Sequence, residues 1–314
     1  MELIFVPQTW WEWVIAGYLF LGGMCGTAIP VAYYFWYKQQ NRIVNLGAGF
    51  VSFIGMVIGI LLLLIDLGRP QNVIHMFISP RLNLTSWMTI GTYIISIYTI
   101  LAIYYAVHFT PRLSKLLGAL RLKHRSLTGL GLLTSFFGLS TAAYTGFLLS
   151  AAKGVQFWNN PILPILFITS GLSAGLGGVY CGIVSPILRW KMPEAAEKGT
   201  PVRLAIQRFE TYVLLAELFI LFAYLDIAKW SYPGSVKAAD TILTGSLAPV
   251  FWIGVVLLGI IVPLIVLSGY TLRKHEETLN VEIASLICGW LVILGGLLLR
   301  YIILTAGVIP VPLI

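Results

Sequence analysis

Eight separate apolar stretches, each about 20 residues or longer and so able to cross a bilayer, fill most of this 314-residue chain. They lie near 12–37, 44–66, 86–107, 126–150, 162–188, 205–228, 246–270 and 281–307. A chain that is 58% hydrophobic and only 10% charged cannot face water on all sides, so an integral membrane protein is expected. In hydrocarbon every backbone amide must be bonded within its own segment or in a closed barrel, and these runs lack the alternation of barrel strands. The expected fold is therefore all-α, a polytopic membrane domain over 1–314 with eight transmembrane helices. The first and fifth spans carry similar small-residue runs, GGMCG and SGLSAG, and the second and sixth end in LLLLIDLG and LFAYLDIA. With four spans between equivalents, this predicts two four-helix bundles, 1–152 and 153–314, as a parallel repeat. No stretch is polar enough for a soluble domain, so chemistry in water requires a partner.

Basic residues set the orientation. Fourteen Lys and Arg follow odd-numbered spans and five follow even-numbered ones, which predicts that the first set is cytoplasmic and both termini lie on the outer face. The net charge of +8 then reflects this bias and attraction to anionic lipid, with no nucleic-acid surface implied.

Much of the composition has a packing explanation. Gly22 and Gly26, Gly55 and Gly59, and Gly171 and Gly175 form GxxxG pairs that allow close helix approach. Cys25, Cys181 and Cys288 lie in different spans and read as small packing residues. Trp10, Trp11 and Trp13 form an interfacial belt at the outer start of the first span. His75, His124 and His275 fall in loops and His108 at the inner end of the third span, so facing axial ligands for a haem of the subunit's own are not expected.

The remaining ionisable and hydroxyl groups inside the spans are the functional candidates. Tyr18 and Tyr144 both lie about 10 Å below the outer face at 1.5 Å per residue, although they belong to different spans. Asp66 closes the second span and Trp87 opens the third at that same face. Phenols at matched depth beside a carboxylate on the way to water suit a membrane quinone, menaquinone or another, through hydrogen bonds to its carbonyls and a proton route. The expected contact set is Tyr18, Gly22, Asp66, Trp87 and Tyr144, with Tyr144, Tyr18 and Asp66 in the reactive roles. Glu217 near the middle of the sixth span, Asp226 closer to its outer end and Arg300 in the eighth are expensive groups in a membrane, at least about 2.5 kcal/mol on insertion scales. They are expected either to pair structurally, Arg300 with Asp226 or Glu217, or to serve as a proton pathway.

Several ordered strings extend this reading: YLFLGGMCG, LLLLIDLGRP, SWMTIGTY, YTGFLLS, FWNNPILPILFITSGLSAG and GGLLLRYIILTAG. Together they resemble the polysulfide reductase membrane-subunit family, the NrfD/PsrC type, over nearly the whole chain. The resemblance implies an eight-helix, haem-free, quinone-reactive subunit of a respiratory oxidoreductase complex. Its implied partners are a four-cluster iron-sulfur subunit docked on the outer face and a molybdopterin catalytic subunit beyond it. By the same resemblance Tyr144 is a quinone ligand, Tyr18 fills a position where some members carry His, and Asp66 lies near the quinone entrance and the docking surface. The competing reading is a secondary transporter or proton channel working through Glu217 and Arg300, for which paired helix interruptions are missing from the two halves.

Overall fold

The computed structural model describes residues 3–9, 11–39, 42–66, 86–110, 113–115, 118, 124–184, 200–273 and 279–312. The expected outer loop from Gly68 to Thr85 lies outside the described residues, as do His75 and His275. A strand β1 (Leu3–Pro7) comes first. The helices α1 (Trp13–Gln39), α2 (Arg42–Asp66), α3 (Trp87–Phe109), α4 (His124–Ser150), α5 (Ile162–Val184) and α6 (Thr200–Lys229) follow. A short helix α7 (Pro233–Leu243) then precedes α8, whose first part Val250–Ile261 is π-helical and whose second part Val262–Arg273 is α-helical. Last come α9 (Leu279–Thr305) and β2 (Val308–Pro312). Eight of these helices are long and apolar enough to cross a membrane, as the sequence predicts.

Enclosure differs sharply between spans. The windows of α1 and α5 are 78% and 72% buried, whereas the other six are half buried or less, so these two form the centre and the rest present one side to lipid. Small residues make that centre possible. A β-carbon on Gly26 of α1 would come within 2.5 Å of the Gly138 carbonyl oxygen of α4, and one on Gly171 of α5 within 3.1 Å of the Gly23 carbonyl oxygen. Here dispersion from backbone contact replaces the hydrophobic drive that lipid removes. The GxxxG pairs thus do the packing expected of them, and Cys25 contributes a thiol contact to the Val51 carbonyl at 3.4 Å.

A cap unforeseen in the sequence covers one end. Strands β1 and β2 pair antiparallel, with Phe5 opposite Pro310, so the start of α1 and the end of α9 lie on the same side. Trp11 stacks on Trp158 at 5.4 Å, and the Trp158 indole donates to the Ile303 carbonyl at 2.8 Å. The tryptophan belt is thus partly a structural clasp, with only Trp13 largely exposed among its described members. In the NNP string, Asn160 Oδ1 accepts from the Ile162 amide at 2.9 Å and Pro161 follows it, a helix N-terminus written in sequence. The π-helical part of α8 ends just before Pro263, whose ring nitrogen has no N–H to give to the turn that precedes it.

Candidate functional site

Helix α4 runs toward the capped end and α1 away from it, and this brings Tyr18 and Tyr144 to one level near that end. Tyr18 lies about 8 Å below the start of α1 and Tyr144 about 9 Å below the end of α4. Both are almost fully buried, and their side chains are near enough to interact electrostatically. The two helices pack against each other, so the matched depth in the sequence brings two buried phenols near each other. Gly22, one turn below Tyr18, faces Thr145, so it sets the α1–α4 spacing beside the pair.

The third span completes the enclosure. Gly91 of α3 lies against the Tyr144 ring so closely that a β-carbon would fall inside it. One turn toward the capped end, Trp87 stacks on Phe147 at 5.1 Å with an interplanar angle of 5°. Trp87 is 39% exposed, so this stacked pair forms a lipid-facing edge next to the buried phenols. Asp66 ends α2 at the same end and is exposed. Gly91 and Phe147 escaped the sequence reading; the i to i+3 spacing of Tyr144 and Phe147 was their only trace.

On an adjacent face of α1 lies an almost entirely apolar groove of about 540 Å³ lined by Trp13, Gly17, Phe20, Leu62, Leu298 and Tyr301 among others. Neither Tyr18 nor Tyr144 lines it. Its Phe20 wall leads to the second group of candidates, since the Arg300 guanidinium lies 5.9 Å from the Phe20 ring centre and 4.9 Å from that of Phe167.

Arg300 is completely buried, and its two terminal nitrogens are bonded while Nε has no hydrogen-bond partner among the described residues. It donates to the Gly296 and Phe167 carbonyls at 3.0 Å each and to Ser170 Oγ. Glu217 is also buried, and its Oε2 accepts from Ser173 Oγ at 2.5 Å. Arg300 and Glu217 interact electrostatically, each hydrogen-bonded to its own serine of α5, Ser170 for Arg300 and Ser173 for Glu217, where the sequence suggested a direct ion pair. Asp226 differs from expectation: it is exposed, and among the described residues no contact ties it to Arg300.

Other buried polar groups on α6 were missed. Arg203 pairs with Glu282 of α9 at 2.6 Å. Gln207 donates to Ser285 Oγ at 2.7 Å and to the Tyr180 hydroxyl at 3.3 Å. Glu210 is 2% exposed, and its Oε1 has no hydrogen-bond partner among the described residues. The spacing of 203, 207, 210 and 217 marks one helix face, a signal present in the sequence but interrupted there because the expected span begins at 205 and leaves Arg203 in a connection.

Comparison with known proteins adds a further finding. The family described as Polysulphide reductase, NrfD matches residues 3–312. The sequence is 30% identical over 322 residues to Protein NrfD of Escherichia coli, covering 96% of each. It is also 30% identical over 312 residues to a polysulfide reductase polypeptide of Wolinella succinogenes, covering 95% of this protein and 94% of that one. A selenate reductase subunit of Mesobacillus selenatarsenatis is 25% identical over 322 residues, covering 91% of this protein and 74% of the relative.

Proposed function

The chain belongs to the NrfD polysulphide reductase family, and from that premise we propose that it is the quinone-reactive membrane subunit of a respiratory oxidoreductase complex. In this reading it exchanges electrons between membrane quinol and an iron-sulfur subunit docked at the capped end. A molybdopterin subunit beyond that partner carries out the substrate chemistry. The names of relatives as parts of polysulfide and selenate reductases support a common membrane component whose partners select the substrate.

The observation that carries the proposal is the convergence of the buried Tyr18 and Tyr144 side chains beneath the capped end, with Gly91 leaving the Tyr144 ring its place. A phenol offers both a donor and an acceptor, so the pair can bind a quinone oxygen and pass on its proton. The stacked Trp87 and Phe147 rings offer an apolar flank for a ring entering from lipid, and the exposed Asp66 offers a carboxylate near water. Oxidation of quinol to quinone releases two electrons and two protons. The electrons leave through the iron-sulfur partner, and the protons leave by the capped end.

Tyr144→Phe in the assembled complex tests this. Quinol turnover should fall about 10-fold or more, since one proton-transfer and hydrogen-bonding group is lost, while dye-driven activity of the catalytic partner stays intact. Unchanged quinol kinetics would remove Tyr144 from the site.

A further inference from the structure

Between α5, α6 and α9 buried polar side chains follow one another from the end opposite the cap to beneath α1. We propose that this column is a proton-conducting path and that Glu210 is the carboxylate that holds the proton within it. The inference takes the quinone-linked reading as the source of its driving reaction.

The column begins at Arg203 and Glu282, whose side chains are 7% and 12% exposed and therefore just reach the surface. Gln207, Ser285 and Tyr180 form the next layer. Glu210 follows, with Cys181 and Cys288 close enough to interact with it electrostatically. Glu217, held by Ser173, lies two turns further, and Arg300, bonded to Ser170, closes the series. From Arg203 to Glu217 the rise along α6 is about 21 Å, roughly two thirds of a 30 Å hydrocarbon core.

Packing alone does not account for Glu210. Glu282 and Glu217 each have a partner that offsets desolvation, whereas Glu210 keeps a buried oxygen unbonded among the described residues. Such a group is costly to bury and persists where it does work other than packing. Placed between two polar layers on a single helix face, that work is to accept a proton from one side and release it to the other. Leu214, fully buried between Glu210 and Glu217, separates them by about 10 Å of rise. This break stops free leakage across the membrane.

The upper end explains how transfer can answer to the quinone site. Arg300 rests against α1, where a β-carbon on Gly23 would approach its Nη2 to 3.2 Å. Tyr18 occupies another face of that same helix. A fixed guanidinium also repels an arriving proton, so Arg300 forms a barrier at the top of the column. The step itself moves no electrons. A proton from water binds a Glu210 oxygen, and it leaves along water molecules admitted past Leu214, each O–H bond breaking as the next forms, until the last forms on a Glu217 oxygen.

The test reconstitutes the whole complex in liposomes, with quinol as donor, and follows proton uptake from the Arg203 side beside quinol turnover. In Glu210→Gln, uptake should fall at least tenfold while turnover with an uncoupler remains within twofold of the parent. Uptake equal to the parent overturns the proposal. Should the variant fail to assemble, carbodiimide labelling of the unsubstituted complex decides. Modification at Glu210 supports the column, and absence of modification there overturns it. Parent complex that takes no electrons from quinol refutes the quinone reading, and labelling then judges the column by itself.

Discussion

Gly91 and Tyr144 compete for one volume: a single β-carbon on the glycine would lie within the phenol ring of the tyrosine. The position of Tyr144, and so its placement beside Tyr18, depends on a hydrogen atom standing where every other residue has carbon.

Gly91→Ala should therefore displace Tyr144 without touching its chemistry. Quinol turnover is expected to fall about 10-fold or more through misplacement alone, with the complex still assembled. Steady-state kinetics with a quinol analogue checks this, and parent-like rates would show that the ring has another place to go.

Two glycines of the same protein should respond with opposite signs. Gly26→Ala forces α1 from the Gly138 backbone and should cost about 1 to 3 kcal/mol by overpacking. Gly129→Ala meets nothing within 4 Å and should be neutral or stabilising by up to about 1 kcal/mol, because alanine is the better helix former. Thermal unfolding of the detergent-solubilised protein compares them.

The eight spans were legible in the sequence because hydrophobic length in a bilayer leaves one solution. The depth match of Tyr18 and Tyr144 was legible too, since helix rise converts numbering into height. Rotation about the helix axis was not. Nothing in the residues near Gly91 announces that it faces Tyr144, and nothing near Asp226 announces that it faces outward while Glu217 faces in. The terminal ribbon escaped for another reason, because each strand is only five residues long and acquires meaning only from its distant partner.

Arg300→Lys should be destabilising although charge is kept. The guanidinium serves Phe167, Ser170 and Gly296 on two helices at once, and an ammonium on a shorter reach cannot satisfy all three. A loss of about 2 kcal/mol is expected from the abandoned acceptors, read as a lower Tm.

Trp158→Phe keeps an aromatic surface for Trp11 but loses the donor to the Ile303 carbonyl. The cost should be about 1 kcal/mol, confined to the cap. Hydrogen exchange should rise in residues 3–7 and 308–312 and stay unchanged in the middle of α1 and α5.

The pairing of Leu3–Pro7 with Val308–Pro312 has a bearing on biogenesis. The first strand leaves the ribosome long before its mate exists, and it must wait on its side of the bilayer until every intervening helix has been threaded. Closure of the ribbon thus requires that insertion has finished with an even number of crossings. A polypeptide that skipped one passage would leave its two ends on opposite sides, unable to zip.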